Sequence, residues 1–271
     1  MPGPEDRELV NGSWKRRTAA GPRRRPPWLG AAAGSAALLA LTGCDFGAPP
    51  GASTQGRTIA DLYHVLWYFA IPVGVIVYGL ILWSIFRYRK RRDDDGALPK
   101  QTRYAFGLEV TYTVIPILMV VAIFGFTYRA EQKVDRVVPN PAVVVDVDGF
   151  QWQWRFTYEG KGVTVVGTPG NVPTLVLPAG QTAQIVLRSE DVVHAFYVSA
   201  FLFQRQAIPG VVNRFDLTIP SPGSWPGVCS QYCGLDHTSM DFIVRAVPPA
   251  TFQAWLSEQQ SSQSATGGTS S

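Results

Sequence analysis

The distribution of apolar residues constrains the fold of this chain more than any other sequence feature. These residues concentrate in three stretches before residue 130. Two of the stretches, Leu62–Phe86 and Val110–Tyr128, are long enough to cross a bilayer as helices. A lipid-embedded backbone must satisfy its hydrogen bonds within its own segment, which a helix does. The sequence therefore predicts a hairpin of two transmembrane helices.

The segment between these two stretches is strongly basic. Loops on the inner side of a membrane carry an excess of lysine and arginine. We therefore expect this loop to lie inside, with the mature N-terminus and everything after Tyr128 outside. The seven basic residues are Arg87, Arg89, Lys90, Arg91, Arg92, Lys100 and Arg103.

The first apolar stretch has the features of an export signal. Two arginine-rich clusters precede Leu29–Leu41, which is too short to span a bilayer. The stretch ends in Leu41-Thr42-Gly43-Cys44, which resembles the lipobox of bacterial lipoproteins. We expect a signal peptide over residues 1–43 and lipidation of Cys44 in a bacterial plasma membrane. The alternative is an ordinary signal peptide with an incidental cysteine.

From about Val143 the hydrophobic pattern changes to a period of two. Aromatic and polar residues alternate through Phe150–Tyr158, which predicts one continuous, half-buried strand. Turn signals at Pro178–Gly180 and Pro220–Gly223 separate further short strands. This spacing favours a β-sandwich of about 110 residues. The other predicted strands are Val143–Val147, Gly162–Val166, Thr174–Leu177, Thr182–Arg188, His194–Val198, Asn213–Ile219 and Asp241–Val247.

The predicted fold class is a membrane-anchored α+β chain, in which the two-helix hairpin precedes an exported all-β sandwich. The expected organisation is a linker over 44–60, the hairpin over 61–130, the sandwich over 131–250 and a C-terminal segment over 251–271. That last segment begins with a helix over Ala250–Gln259 and ends in a disordered tail over Ser261–Ser271. The net charge of +4 comes from clusters beside the apolar stretches and accompanies no nucleic-acid-binding motif.

Four metal-binding side chains lie within twelve residues near the end of the sandwich. Cys229, Cys233, His237 and Met240 combine two thiols, an imidazole and a thioether. Soft sulfur donors mixed with imidazole suit copper better than a hard cation. His194 is the only other histidine after the hydrophobic N-terminal part, so we expect it to join the site from a distant strand.

Two other interpretations of this cluster remain open. Cys229 and Cys233 could form a disulfide in an exported domain, which would leave His237 and Met240 without a role. Two cysteines and two histidines could also bind zinc in a closed tetrahedral site, but zinc has no use for Met240. The complete donor set favours copper.

Several motifs together resemble subunit II of haem–copper terminal oxidases of the cytochrome c oxidase type, over roughly residues 60–250. The resemblance implies a cupredoxin fold that carries a dinuclear copper centre, CuA. It also implies electron uptake from a c-type cytochrome and transfer to haems in subunit I, where oxygen is reduced to water and protons are pumped. The motifs are the cluster at 229–240, Gln151–Trp154, Asp191–His194, Ala207–Gly210 and Glu109–Pro116.

The resemblance assigns each ligand of the copper centre. Both cysteine thiolates bridge the two coppers, each histidine binds one copper, and the thioether and one backbone carbonyl are weak ligands. The ligands are then His194, Cys229, Gln231 through its carbonyl, Cys233, His237 and Met240. With only three histidines in the chain, no haem is expected here.

Three further residues acquire expected roles from the resemblance. Trp152 would be the residue where electrons arrive, although core packing is the ordinary role of a strand tryptophan, and Trp154 shares its predicted face. Glu109 would stand at the mouth of a proton pathway; otherwise it is a charge flanking a membrane helix. Asp191 would meet an arginine of subunit I, or else serve as a turn residue.

The chain departs from the family pattern at two positions. Gln231 and Gln206 stand where many relatives have acids that help to bind magnesium or manganese at the boundary with subunit I. Magnesium prefers carboxylate oxygens, so we expect no tightly held ion there.

Two alternative functions belong to different classes. The same copper module could serve a related oxidase or a nitric oxide reductase, which only the neighbouring subunits would distinguish. The chain could also be a non-catalytic copper-binding lipoprotein, although such a carrier needs only an anchor rather than two spanning helices with Glu109 at an inner edge.

Overall fold

The computed structural model describes residues 49–89 and 101–267 of the chain. The expected signal peptide over 1–43, the lipidation site Cys44 and most of the basic loop lie outside these residues. Within them, two long helices precede ten strands and a final helix.

The two predicted membrane helices form, and both extend beyond their predicted limits. Helix α1 spans Thr54–Arg87 and α2 spans Phe106–Val134. Both helices are long and apolar enough to cross a membrane, and their most apolar parts are not buried against the rest of the described chain. The side chain of Ser53 accepts a hydrogen bond from the Gly56 amide at 3.0 Å, which explains why α1 begins at Thr54 within the expected linker.

The ten strands form two five-stranded sheets that enclose one core. The first sheet has the order β3-β2-β1-β5-β8, and the second has the order β4-β10-β9-β6-β7. The strands are β1 Val143–Phe150, β2 Gln153–Tyr158, β3 Val163–Val166, β4 Thr174–Pro178, β5 Thr182–Ser189, β6 His194–Val198, β7 Phe203–Ala207, β8 Asn213–Thr218, β9 Gly223–Cys229 and β10 Asp241–Val247.

Alternating burial along the strands explains why the sheets face each other. Burial in β1 alternates residue by residue, with Val145 and Val147 fully enclosed. Phe196 and Phe242 of the second sheet stack with ring centres 4.5 Å apart. The Phe156 ring of the first sheet lies 6.1 Å from that of Phe242, so rings from the two sheets meet in the core. The predicted fold class, two membrane-length helices followed by a β-sandwich, is thus confirmed.

The prediction of one continuous strand over Phe150–Tyr158 was wrong. The chain turns at Gln151–Trp152, so that β1 and β2 form an antiparallel hairpin in which Phe150 pairs with Gln153. Polar and aromatic residues alternate on both sides of this turn, and the sequence period therefore does not reveal it. The turn places Trp152 outside both strands.

Strands β7 and β9 were missed. β9 contains Gly223, Pro226 and Gly227, which are unfavourable in strands and resemble turn signals. Packing overrides this preference. A side chain at Gly227 would place its Cβ 2.2 Å from the Phe242 ring, so the close approach of these strands requires glycine.

The C-terminal helix continues through most of the expected disordered tail. Helix α3 spans Pro249–Gly267, with Phe252 and Leu256 buried against the sandwich. Its second half is held by polar contacts: the Gln263 side chain donates to the Thr164 carbonyl at 2.8 Å and accepts from the Thr164 amide at 3.2 Å. These bonds satisfy the open edge of β3, which local composition does not predict.

The start of α1 is fixed to the sandwich. The Ala52 amide donates to the Ala200 carbonyl at 2.7 Å, and the Gln55 side chain accepts from the Thr218 amide at 3.2 Å. Gly56 approaches the Phe201 carbonyl so closely that an added Cβ would lie 2.3 Å from its oxygen. These contacts join the sandwich directly to the end of a membrane-length helix.

Candidate metal centre

Strands of one sheet bring the predicted ligands together. His194 opens β6, Cys229 ends β9, and Met240 immediately precedes β10. The Cys229 amide donates to the Met240 carbonyl at 3.0 Å, which closes the base of the 230–239 loop. The Ser230 amide donates to the Ala195 carbonyl at 3.1 Å and ties that loop to β6. The sheet register therefore determines where the ligands lie.

The two cysteine sulfurs form the centre of the donor cluster. Their Sγ atoms are 3.9 Å apart, about twice the length of a disulfide bond, and both thiols are free and buried. Cys229 Sγ lies 3.9 Å from His194 Nδ1, whereas Cys233 Sγ lies 3.5 Å from His237 Nδ1. Each histidine thus neighbours a different sulfur.

Two weaker donors complete the cluster. Met240 is fully buried, with its Sδ 3.8 Å from Cys233 Sγ. The Gln231 carbonyl oxygen lies 3.2 Å from Cys229 Sγ. All six predicted ligands therefore converge, and the ligand atoms of His194, Cys229 and Cys233 lie within 4.8 Å of one another.

The His194 ring is held in one orientation. It is fully buried, and its Nε2 lies 2.7 Å from Asp191 Oδ1, which leaves Nδ1 directed towards Cys229. A carboxylate behind a histidine fixes the ring and raises the basicity of the ligating nitrogen. Gly149 makes room for this ring, because an added Cβ would lie 3.1 Å from His194 Cδ2.

The electrostatics of the cluster differ between the two thiols. Burial opposes ionisation of Cys229, but hydrogen bonds, chiefly from His194, outweigh it and lower the pKa of this thiol to about 6. Burial, together with the adjacent Cys229 charge, raises the pKa of Cys233 to about 12. The surroundings therefore favour the thiolate form of Cys229 over that of Cys233.

His194 and Asp191 also influence each other. Burial disfavours a charged His194 ring, yet its hydrogen bonds to Cys229 and Asp191 raise its pKa. Burial opposes ionisation of Asp191, but the bond with His194 and two backbone amides lower the pKa of this carboxyl. The carboxylate form, which supports the ring, is therefore favoured.

The chemistry of this donor set fits copper. Two thiols, two imidazole nitrogens and a thioether are soft or borderline ligands. A zinc site would leave the buried Met240 sulfur unused. Each histidine nitrogen lies beside a different sulfur, which gives the cluster two sets of mixed sulfur and nitrogen donors.

The two tryptophans of the Gln151–Trp154 motif have different surroundings. Trp154 is fully buried; its ring centre is 5.3 Å from that of Phe242, and its indole donates to the Met240 carbonyl at 3.4 Å. Trp152 is partly buried, and its indole donates to the Cys233 carbonyl at 3.1 Å. The rings do not share a strand face, because Trp152 belongs to the turn.

Glu109 lies in the first turn of α2. Its Oε1 accepts a hydrogen bond from the Ala105 amide at 3.3 Å, so the side chain caps the positive end of the helix. Capping accounts for an acid at this position in the isolated chain.

The two glutamines at the expected ion position contact each other. The Gln206 amide donates to Gln231 Oε1 at 3.4 Å. This contact pairs two neutral side chains where a magnesium site would need charged oxygen donors. Neither side chain brings a charged oxygen to this position.

Sequence reasoning did not identify the local partners of Asp191. Its Oδ2 accepts from the Gln151 amide at 2.7 Å, while its Oδ1 contacts His194. The spacing of Asp191 and His194, three residues apart at a strand start, was the available signal. No sequence feature indicated the hydrogen bond between Asp191 and Gln151, because it depends on the turn that the sequence did not reveal.

Two family models and several known proteins match this chain. A family model described as "Cytochrome C oxidase subunit II, periplasmic domain" matches residues 171–247, and one described as "Cytochrome C oxidase subunit II, transmembrane domain" matches residues 42–128. A probable cytochrome c oxidase subunit 2 of Streptomyces avermitilis is 35% identical over 265 residues, covering 82% of this chain and 83% of that protein.

Other similar proteins have the same description. The cytochrome c oxidase subunit 2 of Mycobacterium tuberculosis is 30% identical over 322 residues, covering 95% of this chain and 88% of that protein. The crystal structure of the periplasmic domain of subunit II of cytochrome oxidase of Bradyrhizobium japonicum is 26% identical, with a TM-score of 0.43. The match covers 46% of this chain and 99% of that domain.

Proposed function

The chain belongs to the cytochrome c oxidase subunit II family, and from this membership we propose that it is the electron-uptake subunit of its oxidase. As a member of the family it is a membrane-anchored part of a haem–copper terminal oxidase. Its electron donor is a c-type cytochrome, and its acceptors are the haems of subunit I, where oxygen is reduced and protons are pumped.

Six groups of this chain would hold a dinuclear copper centre. When bound, the copper pair supplies one-electron redox chemistry between the cytochrome and subunit I. The convergence of two free thiols, with one histidine beside each, is the observation that carries this proposal. The ligands are His194, Cys229, the Gln231 carbonyl, Cys233, His237 and Met240.

The protein surroundings keep these ligands in place. Asp191 fixes the His194 ring, and the bond from Cys229 to Met240 holds the two ends of the ligand loop together. Burial of both cysteines excludes water from the sulfurs. A preorganised ligand set changes little when its charge changes, which favours rapid electron transfer.

Other parts of the chain have separate proposed roles. Trp152, which is in contact with the backbone of Cys233, receives electrons at the protein surface. Glu109 admits protons from the inner side of the membrane. The basic segment between α1 and α2 supports this orientation, which places the mature N-terminus and copper domain outside the plasma membrane. Cys44 carries a lipid anchor.

Metal analysis of the full-length chain, purified in detergent, tests the proposal. We expect two coppers per chain and an EPR spectrum of one unpaired electron shared by both. Cys233→Ser should abolish this spectrum, while Ser230→Ala on the same loop should retain it. A single type 1 copper signal, or stoichiometric zinc in material made with copper available, would refute the proposal. Haems and subunits that co-purify then identify the type of oxidase.

A further inference from the structure

We propose that Gln151 and Asp191 are positioning residues that fasten the electron-uptake turn to the copper ligands. The turn consists of Gln151 and Trp152, between β1 and β2. This inference rests on the proposed function, because it concerns how electrons pass from Trp152 to the metal centre. It adds a role for two side chains that are not themselves metal ligands.

The turn and the ligand loop meet at one carbonyl oxygen. The Cys233 carbonyl accepts a hydrogen bond from Gln151 Nε2 at 2.8 Å and another from Trp152 Nε1 at 3.1 Å. A carbonyl oxygen has two lone pairs, so both bonds can form together. The Gln151 side-chain amide therefore holds the carbonyl oxygen in place for the Trp152 indole. Two hydrogen bonds thus join the turn to Cys233, a proposed copper ligand.

Gly234 makes this approach possible. Its backbone has a φ of +120°, and an added Cβ would lie 3.1 Å from both Gln151 Nε2 and Trp152 Nε1. A larger residue would strain the backbone and push the turn away from the loop. The close contact thus requires glycine directly after the Cys233 ligand.

A second connection joins the turn to a histidine ligand. Asp191 Oδ2 accepts the Gln151 backbone amide at 2.7 Å, and Asp191 Oδ1 lies 2.7 Å from His194 Nε2. One carboxylate therefore holds both the turn and the His194 ring. With the Cys233 contacts, these bonds connect the turn to ligands on two different strands or loops.

This network defines a short route for electrons. An electron on the Trp152 indole reaches Cys233 Sγ across one hydrogen bond and then through the covalent bonds of a single residue. Electrons tunnel faster through bonded atoms and short hydrogen bonds than across gaps. Loosening the turn should therefore slow electron uptake, even while the copper ligands themselves remain in place.

The test uses the full-length chain within its purified oxidase complex, with Gln151→Met as the main variant. Methionine keeps the length of the side chain but cannot donate a hydrogen bond. We expect unchanged copper content and EPR spectrum, with electron uptake at saturating cytochrome c slowed about tenfold, within the range seen when groups supporting a metal site are lost. Reduction by a small diffusing ruthenium ammine should keep its normal rate. Gln204→Met, at an exposed position on β7, is the matched control.

Asp191→Asn gives an independent measurement. It should weaken copper binding about tenfold and shift the reduction potential of the centre, because His194 loses its charged partner. It should also slow electron uptake, and the double variant should slow it by less than the product of the single effects, since both residues hold one turn.

The outcomes separate this inference from the proposed function. A wild-type chain that binds fewer than two coppers, or that does not react with cytochrome c, would overturn both the proposed function and the positioning role. A wild-type chain that loads copper normally, with Gln151→Met as fast as Gln204→Met, would overturn the positioning role alone. Loss of copper from Gln151→Met would also overturn it, because the side chain would then serve the ligand loop rather than the uptake turn.

Discussion

Exchanging each tryptophan of the Gln151–Trp154 motif for phenylalanine should separate electron uptake from core packing. Both substitutions remove an indole N–H and leave an aromatic ring. The environments differ, since Trp154 is fully buried and Trp152 is partly exposed at the turn. We therefore expect Trp154→Phe to reduce stability and Trp152→Phe to reduce the rate of electron uptake.

The stability cost of Trp154→Phe follows from its contacts. The indole bond to the Met240 carbonyl contributes about 1 kcal/mol, near the middle of the usual range. The Met240 carbonyl keeps its bond from the Cys229 amide, so no buried acceptor is left unpaired. The smaller ring leaves a cavity of about 40 Å³ beside the stacked rings of Phe196 and Phe242, which costs about 1 kcal/mol more. The total is about 2 kcal/mol, or a fall in Tm of about 4–8 °C for a chain of this size.

Trp152→Phe should have the opposite pattern. It removes the bond to the Cys233 carbonyl, which still accepts from Gln151, so the cost in stability should be about 1 kcal/mol or less. Scanning calorimetry and stopped-flow reduction by cytochrome c measure the two properties in the same preparations. If Trp154→Phe slowed uptake more than Trp152→Phe while the copper spectrum stayed intact, the assigned roles of the two rings would be wrong.

Three further results are expected. Glu109→Gln should lower turnover of the whole oxidase by about 100-fold, the lower end of the effect of a positioned proton-transfer group, and should leave copper reduction by cytochrome c unchanged. Normal turnover would reduce Glu109 to a helix cap. Gln231→Glu should leave the copper spectrum unchanged, because the backbone carbonyl of residue 231 is still available to the copper. Manganese retained at the subunit boundary of the dialysed wild-type complex would contradict the expected absence of an ion site there. Copper binding to the metal-free chain should weaken as the pH falls from 8 to 5, and more steeply below about pH 6. Protons compete for Cys233 throughout this range, because its pKa is about 12, and for Cys229 below its pKa of about 6. Equal affinities at pH 5 and pH 8 in metal titrations would exclude these thiolates as ligands.

The sequence by itself determined the parts of this protein that depend on composition and short-range spacing. Hydrophobic length identified both membrane helices, and a period of two identified most strands of the sandwich. The spacing of Cys229, Cys233, His237 and Met240 identified a soft-metal site, because these ligands come from a single loop. His194 could be added because so few histidines were available.

The tertiary structure decided the features that depend on backbone direction and contacts between distant segments. The turn at Gln151–Trp152 interrupts an alternation that looks continuous, and it gives the two tryptophans unlike surroundings. Strand β9 forms despite its glycines and proline, because the opposing Phe242 ring fills the space that side chains would occupy. The hydrogen bond from the Gln151 amide to Asp191 exists only when the segment before β6 meets the β1–β2 turn. Local preferences are worth only fractions of a kcal/mol per residue, so packing between distant residues overrides them.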